Sequence, residues 1–398
     1  MGFKIKLSAI LTVIIFILNS TVIFSETVIQ TSDGDVTYTD SEKPVITTNA
    51  KSAVLIDAES GEILYEENKD ERLAFASITK IMTMLLTMES IESGNLSYDQ
   101  KLVCSEHAKS MGGSEIWLEV GEEMTVSDLL KAVAVNSAND AAVVLAEAVG
   151  GTEDNFVDMM NKKAAALGMV NTCFKNTNGL PEEGHYSTAY DIALMSMELL
   201  KHDKILNYTT IWTDTLRNGE TALSNTNKLI RFYKGATGLK TGYTDDAGYC
   251  LSASAERNGL KLVGVVLGCE TSDKRFEGIK ELLNYGFSAY TYVTPRFDAS
   301  AILPVKVLLG TKEQAEISIP EIKGVAVKKE NKDKITSEIQ LSENVMAPVD
   351  KGQTLGTLTF TVDGKLLAKY NLTASEDIPK LSFSNSFCAL FLKFLFMK

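Results

Sequence analysis

Three short stretches carry side chains that could act together on an acyl group. In AFASITKIMT (74–83) a serine and a lysine stand three residues apart in an apolar run. Residues at that spacing on a helix share one face, about 5–6 Å apart, so Lys80 can reach the Ser77 hydroxyl. Burial lowers the pKa of a lysine, and its neutral amine can then take the proton of a serine nucleophile. The start of a helix also favours negative charge developing near Ser77. Alone the pair is a weak signal, because a capping serine and a lysine whose stem covers apolar surface explain most such pairs. In NSAND (136–140), Ser137 and Asn139 interrupt two helical runs. As residues i and i+2 of an extended segment they would face a common cleft; the bland reading is an N-cap turn. In LKTGYT (239–244), Lys240 and Gly242 would share one side of a strand, and Gly242 would let another backbone come close. Here the plain alternative is an edge-strand lysine beside a turn.

Composition narrows the choices. The 398 residues suit two domains, and 45% hydrophobic with 23% charged residues leaves ample material for a core. A net charge of −13 with no basic run excludes a nucleic-acid partner. The three histidines, His107, His185 and His202, are too scattered to suggest a metal site or a Ser/His/Asp set. Cys104, Cys173, Cys250, Cys269 and Cys388 form no CxxC pair and read as small apolar residues. A serine enzyme built from this chain would need a base other than histidine.

The elements around these stretches fall into an order. Residues 1–25 read as a signal peptide: Lys4 and Lys6, an apolar run, then small and polar residues. An uncleaved anchor is the runner-up. A loose segment follows over 26–50. SAVLIDAESGEILYEE (52–67) alternates on both sides of Glu59-Ser60-Gly61 and predicts a β-hairpin. Helical spacing runs through 76–91, through 124–151 with a break at NSAND, through 188–201 and through 275–290. Thr125 with Asp128, and Thr188 with Asp191, mark two N-termini. Residues 235–267 predict an antiparallel meander turning at Asn258-Gly259. A sheet with helices against it would bury both kinds of apolar face, giving a catalytic domain over 51–297. Short alternating stretches split by Gly, Pro and Asp predict a small all-β domain over 298–376. In the tail, 377–398, Phe383, Phe387, Leu390, Phe391, Phe394 and Leu395 fall three or four apart. That run is too short to span a membrane and reads as an amphipathic helix lying on one.

The order S-x-x-K, S-x-N, K-T-G is that of penicillin-binding proteins and class A β-lactamases. With MGGSEIWLEVGEEMT, FKNTNGLPEEGHYSTAYD, SNTNKLI and GYCLSASA added, the chain resembles the low-molecular-mass penicillin-binding proteins that are serine D-alanyl-D-alanine carboxypeptidases, closest to those of sporulating bacteria. The resemblance implies an α+β catalytic domain of the penicillin-binding protein/β-lactamase type, followed by the β domain and the amphipathic helix. It implies Ser77 as nucleophile, Lys80 as its base and Ser137 as proton relay to the leaving amine. Asn139 would bind the penultimate amide region of the substrate. Lys240 and Thr241 would hold the terminal carboxylate, Gly242 would belong to the substrate-binding strand, the backbone N–H groups of Ser77 and Tyr243 would form the oxyanion hole, and Arg275 would stand near the carboxylate pocket. A surface ion pair would explain Arg275 equally well. The chain departs from the family pattern at Phe75, where proline is usual, and at Ala138, where glycine is common.

The function so implied is removal of the terminal D-alanine from peptidoglycan stem peptides, which trims cross-linking. No cofactor is expected. The partners would be the stem peptide, β-lactam antibiotics and, through the tail, a membrane surface. The place would be the outer face of the cytoplasmic membrane. A β-lactamase, with Glu182 or Glu183 assisting deacylation, is the near alternative. A transpeptidase and a non-catalytic wall-binding scaffold are two others.

Overall fold

The computed structural model describes residues 29–30, 36–37 and 46–382. The signal peptide expected over 1–25 and the helix expected in the tail from residue 383 lie outside the described residues. Ile29–Gln30 pairs antiparallel with Val36–Thr37 within the segment expected to be loose.

The first hairpin joins β1 (Ser52–Asp57) to β2 (Ile63–Glu67). Its turn is held by Asp57, whose carboxylate accepts from the Ser60 backbone N–H at 3.1 Å and the Ser60 hydroxyl at 2.5 Å. The hairpin forms as the sequence predicts, but β1 does not alternate between core and solvent. All six of its residues are buried. Val54 and Ile56 enter one core while Ala53 and Leu55 enter another on the opposite face, as a strand covered on both sides must.

Five strands make the central sheet, in the order β2-β1-β5-β4-β3, every neighbouring pair antiparallel. Strand β3 (Ala236–Thr244) is at the edge, β4 (Gly248–Arg257) beside it and β5 (Leu260–Cys269) third. Asn258 and Gly259, at φ +52° and +83°, form the two-residue turn between β4 and β5. Both positions need a left-handed backbone, which asparagine and glycine adopt at low cost. The larger core holds helices α1 (Lys80–Glu92), α2 (Asn139–Gly150) and α3 (Ala189–Leu200), and α4 (Ser272–Ala289) covers the other face. Helix α1 is buried without a break from Lys80 to Met88. It is a core helix, apolar nearly all round, so any polar group on it must find its partners inside the protein. Thr125 and Thr188 cap their helices by accepting from the N–H groups of Asp128 and Asp191, at 3.0 and 3.1 Å.

The later residues form the expected all-β region. Its largest sheet runs Ile317–Ser318, Lys365–Ala374, Thr354–Val362, Thr336–Leu341. Backbone pairing crosses both of the boundaries expected for it. Tyr290–Val293, on the catalytic side of 297, pairs with Val325–Lys328. Ile378 bridges Val349 and Lys380 bridges Gly310, beyond 376. The Tyr292 ring lies against Gly324 and the turn glycine Gly259, and Ala326 joins the core beneath α4. Among the described residues no helix is long and apolar enough to cross a membrane, and Cys104, Cys173, Cys250 and Cys269 are free thiols.

Candidate active site

Ser77 lies in a single 3-10 turn, Ala76–Thr79, that leads into α1. The turn begins with Ala76 at φ +49°, a left-handed backbone that costs a non-glycine residue about 1–2 kcal/mol. Three groups hold it. Gly179 sits so close that a Cβ there would overlap the Ala76 carbonyl. Thr79 Oγ1 donates to the Ala76 carbonyl at 2.8 Å and is 2.7 Å from His185 Nε2. His185 Nδ1 in turn accepts from the Lys175 N–H at 3.0 Å. With Nδ1 accepting and the Thr79 proton committed to Ala76, Nε2 carries the hydrogen and the imidazole is neutral. Burial, with the Lys175 charge adding to it, pushes the His185 pKa down to about 4. Phe75 stacks flat on this imidazole, ring centres 4.7 Å apart. That contact accounts for an aromatic residue at 75, where the family pattern has proline.

Lys80 Nζ is 2.9 Å from Ser77 Oγ and 2.6 Å from the Asn178 carbonyl. The side chain is fully buried. Burial first, and the Lys240 charge second, push its pKa well below the ordinary lysine value, with Asp140 opposing. In the neutral form one N–H stays on the Asn178 carbonyl and the nitrogen lone pair faces the Ser77 proton. The spacing expected from sequence therefore yields a serine–amine pair, and the helix places its lysine where a charge is disfavoured.

The Ser137–Asn139 segment is not extended, which corrects the expectation. The preceding helix widens into a π turn over Ala132–Asn136, and Ser137 follows at φ +65°, ψ +29°. Only Ala138 is extended, at φ −60°, ψ +121°, and Asn139 opens α2. Ser137 and Asn139 are both buried. Asn139 donates from Nδ2 to the Gly112 carbonyl at 2.5 Å and from its backbone to the Ser114 carbonyl at 2.7 Å. Its Oδ1 is buried without a partner, an acceptor left over for a substrate N–H. Next to it the buried Asp140 carboxylate accepts from the N–H groups of Ile116, Leu118 and Ala141, at 2.8–3.2 Å. Asp140 thereby ties the loop 111–118 to the head of α2.

Lys240, Thr241 and Gly242 lie on the edge strand β3, as expected. Lys240 is buried and donates to the Thr241 carbonyl at 3.0 Å. Burial, with the Arg275 charge adding to it, pushes its pKa down to about 7. Thr241 Oγ1 donates to Thr226 Oγ1 at 2.7 Å. A Cβ at Gly242 would lie 2.8 Å from the Phe75 carbonyl and 3.1 Å from the Ser77 nitrogen. The strand and the Ser77 turn thus touch backbone to backbone, as the sequence reading of this glycine anticipates. Tyr243, half exposed, packs against Tyr249 and donates from Oη to Asp245 at 2.7 Å.

The surface-ion-pair reading of Arg275 does not hold. The side chain is buried, and Nη1 donates to the Gly242 and Cys250 carbonyls at 3.1 and 3.3 Å, with Nη2 on Ser272 Oγ. It braces the catalytic strand through backbone carbonyls, and its Nε is buried without a partner. Glu182 and Glu183 are exposed and outside the hydrogen bonds of Ser77 and Lys80, with Glu182 accepting from Asn176. His107 and His202 pair with Glu153 and Glu92. Sequence reasoning assigned no role to His185, Gly179, Asp140 or Thr226. Each acts on a motif residue from 15 to more than 100 positions away, a separation for which local spacing carries no signal.

A family model described as D-alanyl-D-alanine carboxypeptidase matches residues 37–271, and one described as the C-terminal domain of penicillin-binding protein 5 matches 290–380. The chain is 46% identical over 338 residues to the D-alanyl-D-alanine carboxypeptidase DacF of Bacillus subtilis, covering 84% of this chain and 87% of that one. Its structure is similar to that of penicillin-binding protein 5 from Haemophilus influenzae, with a TM-score of 0.76, 30% identity and coverage of 86% and 100%. It is also similar to penicillin-binding protein D2 from Listeria monocytogenes in a cefotaxime-bound form, with a TM-score of 0.57, 36% identity and coverage of 62% and 100%.

Gly242→Ala forces the new methyl group against the Phe75 carbonyl and displaces the Ser77 turn. A shift of about 1 Å in a reacting group costs roughly 100-fold, so acylation of Ser77 by a penicillin should slow by about that factor. Stopped-flow or mass-resolved acylation rates would check this, and an unchanged rate would show that the turn does not depend on the glycine.

Proposed function

The chain belongs to the D-alanyl-D-alanine carboxypeptidase family, and from that premise we propose how its residues carry out the reaction. The enzyme is a serine peptidase that removes the terminal D-alanine of peptidoglycan pentapeptides and binds β-lactams. The observation that carries the residue assignment is the buried Lys80 amine 2.9 Å from Ser77 Oγ, under the field of Lys240.

Neutral Lys80 takes the Ser77 proton as Oγ attacks the carbonyl between the two D-alanines. The negative oxygen of the tetrahedral intermediate lies against the N–H groups of Ser77 and Tyr243, each such donor being worth about 10²–10³ in rate. The C–N bond then breaks. Ser137 gives its proton to the departing amine and regains one from Lys80, leaving D-alanine and an acyl ester on Ser77. Water attacks the ester with Lys80 again accepting the proton, and as the C–Oγ bond breaks Lys80 returns that proton to Ser77 Oγ and the shortened peptide leaves. Support for Ser137 comes from its buried place at the break before α2. Support for Asn139 comes from its unpartnered Oδ1.

Lys240 and Thr241 receive the terminal carboxylate. Burial and the Arg275 charge lower the Lys240 pKa, and an arriving carboxylate favours its charged form. The Lys240 charge also opposes charge on Lys80 and so helps to keep the base in its neutral form. Arg275 supplies positive charge behind Gly242 rather than a ligand at the carboxylate. No finding favours the β-lactamase. The coarse location, outside the cytoplasm at the cell wall, follows from the activity. Attachment to the outer face of the cytoplasmic membrane is proposed on the phenylalanine spacing of residues 383–395 alone.

The intact mass of the protein after addition of benzylpenicillin should show a single persistent adduct that Ser77→Ala abolishes. An adduct on the variant would place the nucleophile elsewhere, and one that vanishes within seconds would restore the lactamase. The rate of acylation should fall as pH drops through the lowered pKa of Lys80, because the protonated amine is no base. Lys240→Gln removes a like charge, so the acidic limb should move to higher pH while peptide turnover drops; a limb that stays in place would uncouple the two lysines. Removing residues 383–398 should release the protein from membrane fractions without slowing D-alanine release from a soluble peptide. A protein that stays bound would shift the anchor to the N-terminal segment.

A further inference from the structure

Of the two tryptophans in the chain, Trp212 packs edge-on against Phe232, whereas Trp117 is 75% exposed. Its backbone is left-handed, at φ +55°, an outlier for a bulky side chain. The strain is held on both sides. The buried Asp140 carboxylate takes the N–H groups of Ile116 and Leu118, which flank the tryptophan. Arg217, itself at φ +52°, donates from Nη1 to the Ile116 carbonyl at 2.9 Å and from Nη2 to the Trp117 carbonyl at 3.5 Å. The guanidinium is locked in turn by Glu122, 2.7 Å away. Two ionic side chains therefore hold a high-energy turn whose effect is to turn an indole out of the protein. Strain maintained in this way marks a position with a task other than stability.

The loop that carries Trp117 also builds the cleft. Gly112 and Ser114 hold Asn139, and Met111 Sδ accepts from Asn178, the residue whose carbonyl binds Lys80. A substrate with its terminal carboxylate at Lys240 and its amide at Asn139 would run beside the loop whose Gly112 and Ser114 hold Asn139. In peptidoglycan what lies outward is the glycan. We propose that Trp117 is the platform of a sugar subsite, on which an N-acetylhexosamine ring of the glycan strand stacks, and that it raises affinity for stem peptides still attached to sugar. The proposal rests on the carboxypeptidase reading above. An indole is a broad, rigid surface with a polar edge, suited to a ring that has an apolar face and a hydroxylated rim. Glu115 and Glu119 flank it in sequence, Glu119 being paired with Lys109. A carboxylate such as that of Glu115 can accept from sugar hydroxyls.

The test compares two substrates on the whole chain: an N-acylated pentapeptide ending in D-Ala–D-Ala, and the same pentapeptide attached to its disaccharide. The readout is the ratio of kcat/KM for D-alanine release, sugar-linked over sugar-free, with penicillin acylation of each variant as the check that Ser77 is intact. Trp117→Ala should lower the ratio about 3- to 10-fold, the scale of a lost aromatic contact, through KM on the sugar-linked substrate. Trp117→Phe should restore most of it. A ratio that does not move, whether both rates fall together or neither does, would overturn the subsite, as would a wild type with no preference for the sugar. A wild type that acylates with penicillin yet releases D-alanine from neither peptide would instead overturn the carboxypeptidase reading on which the subsite depends.

Discussion

The proposed reaction needs a primary amine that stays uncharged beside a serine in an acidic protein, and the surroundings of Lys80 favour that state. Lys80 achieves it by lying on a helix buried on all sides, where one carbonyl, from Asn178, is its acceptor besides Ser77. An ammonium in such a place is costly unless paired with an anion. The nearby anion, Asp140, has its oxygens engaged by backbone N–H groups. It opposes the shift in Lys80 without reversing it. The other charge acting on Lys80, that of Lys240, is positive, and Arg275 stands to Lys240 as Lys240 does to Lys80. Each lowers the pKa of its neighbour, so the three buried basic side chains together favour loss of the proton from Lys80.

Positioning the pair is a matter of backbone contact more than of side-chain contact. The Ser77 turn is wedged between Gly179 and Gly242, two positions where a methyl group has no room. Ala76 and Ser137, both left-handed without being glycine, lie at the two places where a helix begins beside a serine proposed to act in the reaction. Such conformations persist only where their surroundings over-determine them. Around Ala76 the surroundings are the Thr79 hydroxyl, the neutral His185 ring and the Phe75 ring stacked on it. The histidine in this serine enzyme is thus a strut, and its low pKa is a by-product of being buried under the turn.

The parts of the site legible in the sequence were those governed by short spacing. Ser77 to Lys80 is one helical turn, Thr125 and Thr188 cap at three residues, Asn258-Gly259 closes a hairpin, and Gly242 on a strand permits close approach. The Ser137 segment failed because a π turn leaves no compositional mark: AVAVN reads as any apolar helix end. The hairpin pattern of residues 52–67 carries no sign that both faces of β1 are covered, which depends on α4 packing on one of them. Arg275 was ambiguous for a similar reason, since nothing local distinguishes an arginine that salt-bridges at the surface from one that spans two strands. His185, Asp140 and Thr226 were silent because their partners are brought to them by the fold.

The strand Tyr290–Val293 leaves α4 without a linker and immediately pairs with Val325–Lys328, while Tyr292 seats against the turn between β4 and β5. The two domains are therefore not modules joined by a tether, free to be shuffled or trimmed apart. The same hairpin that carries β4, the neighbour of the catalytic strand, forms the seat of the second domain. A lineage that exchanged or lost that domain would have to rebuild Gly259 and its surroundings, and a force on the β domain would reach the edge of the active-site sheet through two strands rather than die out in a flexible joint.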